Sequence, residues 1–256
     1  MKKTSLRCRL MSLICICTML VGMLFPGALG AVAETEAAEA GKIEISTPEE
    51  LTKIGKDAAF PMTGDYVLTN DLDMSGINFT PIGGTHGEKG AVSGNHVFSG
   101  TFDGQGHLIS NLTIDVSGQV TDYAQIGLFS VVASANASDY ARVSNLVFAN
   151  VSLTVDMDGG FTAAGTLAGE VNGYAEIENI AVLDGNVIVN ADNGSDTVGA
   201  AGVIGECRTN ANMGNNYVTV KNIYNGAQIL AGSSTNNNYA SGIIGRVSVT
   251  PCKAIT

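Results

Sequence analysis

From residue 65 onward the chain alternates short apolar runs with Gly, Asn and Asp. The runs include YVLTNDLDM (66–74), VFSGTF (97–102), HLISNLTIDV (107–116) and IGLFSVV (126–132). ARVSNLVFANVSLTVDM (141–157), AGTLAGEV (164–171) and AEIENIAVLDGNVIVNA (175–191) follow, then AGVIGEC (201–207), VTVKNIYNGAQIL (218–230) and SGIIGRVSV (241–249). Val, Ile, Leu, Tyr and Thr at period two predict β-strands. One segment predicts a helix. Thr47 can cap it, Pro48 suits its first position and Glu50 completes a capping box. Leu51, Ile54 and Ala58 would share its buried face, and Pro61 lies beyond its end. Just before it, residues 42–46 alternate as a short strand with Ile43 and Ile45 on one side.

The runs repeat. Leu128, Leu167, Val203 and Ile243 sit in similar small–apolar–small settings, 39, 36 and 40 residues apart. An Asn followed by an apolar residue recurs at Asn111-Leu112, Asn145-Leu146, Asn179-Ile180 and Asn222-Ile223, with spacings of 34, 34 and 43. A unit of this length with about three short strands and no helix must stack on its neighbours to close a core. This predicts an all-β protein, a short right-handed parallel β-helix of about five coils with one N-terminal capping helix. Stacked turns about 4.8 Å apart would let the four Asn bond in one ladder, with Leu112, Leu146, Ile180 and Ile223 stacked inside. An antiparallel sandwich also has many short strands, but it gives no reason for an Asn at one point of every unit.

The N-terminus reads as an address. Lys2, Lys3, Arg7 and Arg9 precede an apolar run over residues 10–25, and Ala31-Val32-Ala33 has the small–x–small pattern of a signal-peptidase site. The expected organisation is a signal peptide at 1–33 and a disordered lead-in at 34–41. An N-terminal cap with the first strands follows at 42–96, and repeats at 97–256. The last unit opens at SGIIGRVSV without a following Asn–apolar strand, so the repeats are expected to be incomplete, with an open edge that invites end-to-end self-association.

Composition sharpens this reading. The leader takes four of the 13 basic residues, so the mature chain holds nine against 24 acidic, a net charge of −15. Such a surface repels nucleic acid, anionic lipid and acidic polysaccharide. No membrane insertion is expected after leader cleavage, and the protein is expected outside the cell or on its surface. Only Cys207 and Cys252 remain of the five Cys, which makes no disulfide framework. Cys207 aligns with Val247 in the repeat frame, which separates it from Cys252, so the two are expected to be unbridged.

The stretch VFSGTFDGQGHLISNLTI (97–114), followed by IGLFS and the Asn–apolar units, resembles the GLUG-motif proteins of bacterial surfaces and secretions. The motif also occurs ahead of the catalytic part of immunoglobulin-A-cleaving metallopeptidases. IEISTPEEL and YVLTNDLDMSGINFTPIG, within 43–83, resemble the lead-in that often precedes it. The similarity spans residues 42–250, with Thr166 and Ala201 standing where a Gly is usual. The resemblance implies a right-handed parallel β-helix outside the cell and no activity, because the motif is a structural repeat. The HExxH helix of the metallopeptidases does not occur.

Candidate chemistry is sparse. Asp71, Asp73 and Ser75 imitate the start of a calcium loop, but Ile82 occupies the twelfth position, so they read as a strand with a turn at Gly76. Residues 83–90 (GGTHGEKG) lack the ending of a phosphate loop and read as a flexible loop. His86, His96 and His107 with Asp103 could hold a transition metal, yet His107 reads as a turn-to-strand residue and the other two as loop. The turns holding Asp156, Asp158, Asp192 and Asp196 would bring carboxylates together, as calcium requires, or be solvated turns. A carbohydrate-active enzyme or carbohydrate-binding module is the rival function. It needs paired carboxylates or a basic group, and the repeats contain only Arg142, Arg208, Lys221 and Arg246, no Trp and seven scattered Tyr. The sequence therefore assigns no catalytic, cofactor or metal residue. It predicts a structural or adhesive module without its own catalysis, meeting an extracellular protein or glycan. A groove converging two carboxylates on an aromatic would favour the enzyme.

Overall fold

The computed structural model describes residues 41–86, 90–118, 123–158, 160–192, 197–209, 217–233 and 237–248. The leader, the lead-in up to residue 40, Asp196, Cys252 and the last residues from 249 lie outside this set.

The described chain winds as a solenoid with four walls per coil. Wall 1 holds β1 (Ile43–Ile45), β2 (Asp65–Leu68), β3 (Leu72–Asp73), β5 (Thr101–Asp103), β6 (Leu108–Ser110), β10 (Ala141–Ala149), β14 (Ala175–Val182) and β18 (Val218–Asn225). Wall 2 stacks β7 (Thr113–Ser117), β11 (Val151–Asp158), β15 (Gly185–Asp192) and β19 (Gln228–Ser233). Wall 3 stacks β8 (Tyr123–Ile126), β12 (Phe161–Gly165), β16 (Thr197–Ala201) and β20 (Asn237–Ser241). Wall 4 stacks β4 (Val97–Phe98), β9 (Phe129–Ser134), β13 (Ala168–Gly173), β17 (Ile204–Arg208) and β21 (Ile244–Ser248). Every pairing between these strands is parallel, as with Val143 on Ile177 and Val155 on Val189, which excludes the antiparallel sandwich.

The strands make about four turns, not five. Each coil has four strands rather than three, because β12 and β16 are built from Ala, Gly and Thr and carry little apolar signal. The run at 241–249 does not open a fifth unit; it supplies wall 4 of the fourth coil, since Ile204 pairs with Ile244 and Cys207 with Val247, the latter as the repeat frame predicts. The Leu128 series marks the corner between walls 3 and 4. Leu128, Leu167 and Val203 point inward there at 0 % exposure.

The core is a continuous column of aliphatic side chains. Leu146 and Ile180 stack in one row that Ile223 continues, and Phe98, Phe102 and Phe129 pack as rings with Tyr66 near the N-terminal side. Burial pushes the Tyr66 hydroxyl above its ordinary pKa, and it donates to the Pro61 carbonyl at 2.7 Å. The fourth coil carries most of the exposed large apolar side chains, among them Tyr224, Leu230 and Val247.

The helix α1 is Pro48–Lys53, and its capping box forms as the sequence predicts. Glu50 accepts from the Ser46 and Thr47 amides, and these bonds hold its carboxyl below the ordinary range. The helix stops at Lys53, so Leu51 and the C-cap residue Ile54 are buried while Ala58 lies beyond it, exposed.

Candidate functional site

The turn asparagines form two rows rather than one. Asn145, Asn179 and Asn222 stack, with Asn222 donating to Asn179 at 3.0 Å, Asn179 to Asn145 at 2.8 Å and Asn145 to Asp103 at 2.9 Å. Asn111 belongs to the next corner. It donates to Asp73 at 2.7 Å and accepts from Asn150 at 2.6 Å. Leu112 accordingly starts wall 2 instead of stacking on Leu146. The cause is a two-residue excess in the first coil: Asp103 pairs with Ser144 and Leu108 with Val147, so four residues there face two. The equal 34-residue spacings of Asn111, Asn145 and Asn179 are a coincidence of this insertion.

All these Asn have left-handed backbone, φ 57° at Asn111, Asn145 and Asn179, 56° at Asn222 and 52° at Asn150. Asn tolerates that region better than other side chains. Asn179→Ala would force a methyl-bearing residue into it and break both rungs. It should lose about 1–2 kcal/mol, read as a lower urea midpoint, and Asn179→Gly should lose less.

Asp71 and Asp73 point along wall 1 into bonds between coils. Asp71 accepts from the Leu108 amide and from His107 Nδ1 at 3.0 Å, and Asp73 from Ser75 and Asn111. These bonds lower both carboxyl pKa values, led by the Leu108 amide for Asp71 and the Ser75 hydroxyl for Asp73. The proposed metal histidines are dispersed. His107 is on wall 1, whereas His86 bridges Ala124 of wall 3. Asp156 pairs with Asn190 and Asp158 with Asp192 in backbone register, so the two acidic turns are equivalent as expected. Among the described residues no group of three His, Cys, Asp or Glu could hold a metal ion.

The densest polar chemistry lies in a seam between walls 3 and 4. Ala124, Ile126, Ala164 and Val198 of wall 3, and Val132, Val171 and Cys207 of wall 4, belong to the main core. Their neighbours on the opposite strand faces meet in the seam. Glu170 and Glu206 stack in register there, and Arg246 follows Glu206. Glycine makes the approach close enough: a Cβ on Gly169 would lie 2.4 Å from the Gln125 carbonyl carbon, and one on Gly205 2.3 Å from the Ala164 nitrogen.

Both carboxylates are fully buried. Glu206 is saturated: Arg208 Nη2 reaches both its oxygens at 2.8 Å, Arg246 Nη1 lies at 3.8 Å, and the Ser248 hydroxyl donates to it. Glu170 is poorly served. Gln125 donates at 3.1 Å, while Arg208 Nε stands 3.6 Å away, a Coulombic contact without a hydrogen bond. Burial first, and the Glu206 charge second, push its pKa up to about 7 against the pull of Arg208. Phe161 closes the seam, its ring 5.9 Å from the Arg208 guanidinium and 5.4 Å from that of Arg246. Sequence reasoning missed this cluster because Glu170 and Glu206 sit inside runs of Ala, Gly and Val, with no spacing that announces a pair. Paired carboxylates, one near neutrality, beside an aromatic ring are what acid–base chemistry on a glycan requires. Here both are sealed from solvent, and one is held by two arginines.

No family model and no solved structure matches the chain. Over 142 residues, 55 % of its length, it is 34 % identical to Halomucin of Haloquadratum walsbyi. The chain spans about 1 % of that protein.

Proposed function

We propose that this chain is a secreted or cell-surface module, structural and adhesive rather than catalytic, built from GLUG-type repeats. In this reading the solenoid is right-handed, the hand that the twist of β-strands favours in parallel crossovers, and α1 closes its N-terminal end. The observation that carries the reading is the unbroken parallel register of all four walls, which presents the same surface positions coil after coil. The acidic mature chain suits an extracellular setting, and the name of the partly matching protein denotes a mucin. The seam is a clasp between walls, because neither carboxylate meets solvent.

Expression of the whole chain in a bacterial host tests the address: the expected product is extracellular and begins at Glu34. Beads coated with that product should adhere to mucin-coated wells and release no product from polygalacturonate or neutral glucans. Retention inside the cell, or turnover lost in Glu170→Gln, would overturn the reading.

A further inference from the structure

We propose that the corner between walls 4 and 1 is a binding track for a neutral polysaccharide, an inference that rests on the adhesive reading above. The tyrosines that look scattered in the sequence are not so in the fold. Tyr140, Tyr174 and Tyr217 each precede the first residue of a wall 1 strand, and those residues, Ala141, Ala175 and Val218, are in register. The three therefore stand in one row. The row is tied by backbone bonds from the Ala141 amide to the Tyr174 carbonyl at 3.1 Å and from the Ala175 amide to the Tyr217 carbonyl at 3.3 Å. Tyr140 and Tyr174 contact edge to face at 5.5 Å, and Tyr217 is 44 % exposed.

The row leads to a cleft. The turn that carries Tyr140 also lines, through Ser134 and Asn136, a concavity of about 670 Å³. Its other sides are the segment after α1, with Lys56, Asp57 and Thr63, and the segment with Ser93, Asn95 and Ser99. The second segment is anchored by its own small apolar cluster of Val97, Val131 and Ala133 with Val92, so the cleft has a packed wall. The side chains of Lys56, Thr63, Ser93, Asn95 and Ser99 make no hydrogen bond to any described residue. Their amide, hydroxyl and ammonium groups are available to a ligand.

The chemistry selects a sugar chain. Phenol rings repeat along the axis at about 4.8 Å per coil, a step comparable to one residue of an extended pyranose chain, and the apolar faces of such rings pack on aromatics. Uncommitted amides and hydroxyls in the cleft match sugar hydroxyls. The charges cancel locally, Arg142 with Glu176 at 2.7 Å beside the row and Lys56 next to Asp57 in the cleft. The mature chain as a whole repels polyanions. A neutral glycan is therefore the occupant.

The test is native affinity electrophoresis of the secreted protein in gels containing hydroxyethylcellulose, xyloglucan, galactomannan or dextran, with polygalacturonate as the acidic comparison. Retardation is expected in at least one neutral gel and not in polygalacturonate. Tyr140→Ala/Tyr174→Ala and Asn95→Ala/Asn136→Ala should each weaken it about tenfold. Tyr224→Ala, at an exposed tyrosine outside the row, should leave it unchanged, with circular dichroism confirming the fold of each variant. No retardation in any neutral gel, retardation by polygalacturonate alone, or equal retardation of the double variants overturns the track. Adherence to mucin-coated wells separates the two readings. Adherence that survives in Tyr140→Ala/Tyr174→Ala leaves the module adhesive without this track, and a wild-type protein that does not adhere overturns the adhesive reading itself.

Discussion

Glu206→Ala should destabilise the protein by about 3–5 kcal/mol, the loss typical of breaking a buried ion pair from one side. Glu206 is the counter-charge of two guanidiniums, with Arg208 held bidentate and Arg246 at 3.8 Å. The Arg208 side chain is only 12 % exposed, so the alanine variant strands its charge in the seam. Ser248 loses its acceptor as well. Glu206→Gln keeps the shape and one acceptor, so its loss should be smaller. Urea denaturation followed by circular dichroism gives the difference. A loss below about 1 kcal/mol in the alanine variant, the size of an exposed pair, would show that the seam is wet and the charges screened.

Stability should fall as the pH rises from about 4.5 to about 7, with Glu170 as the cause. Its carboxyl titrates near 7 in the folded chain against an ordinary value of 4.5. Between those values the folded state holds a proton that the unfolded state has released. The stabilisation is therefore complete below the unfolded value and is lost as the pH passes the folded one. A shift of this size corresponds to about 3 kcal/mol. Chemical denaturation at pH 5 and pH 8 should show the protein more stable at pH 5, and Glu170→Gln should flatten the difference. A native chain more stable at pH 8 than at pH 5 would mean that Glu170 is ionised and well paired.

The coil architecture is readable in the sequence wherever apolar side chains alternate. The long strands β10, β11, β14 and β15 and the capping box of α1 follow from period-two runs and from Thr47 and Glu50. The third wall does not, because Ala163, Ala164 and Gly199 pack closely instead of burying bulk, and close packing leaves no periodic apolar trace. The ladder of Asn145, Asn179 and Asn222 is legible as a spacing. The displacement of Asn111 is not, since two extra residues at one corner move a register without altering the motif around it. The seam was invisible for another reason. Glu170 and Glu206 are neighbours only because 36 residues close one coil, and a pair of acids at that distance in a sequence carries no signal until the coil length is fixed. The tyrosine row was hidden in the same way.

The hydrogen bonds that join one coil to the next all run along the solenoid axis, and this decides how the module behaves under tension. A load applied between its two ends does not shear long strands against each other; it opens one layer of parallel bonds at a time. Ala141 and Ala175 are 34 residues apart and stack directly, so that interval is one coil. Peeled and drawn out, it lengthens by about 110–120 Å. A protein standing between a cell and its surroundings would therefore yield in discrete steps of that size, coil by coil, and spread a sudden pull over distance before any attachment at its tip has to break.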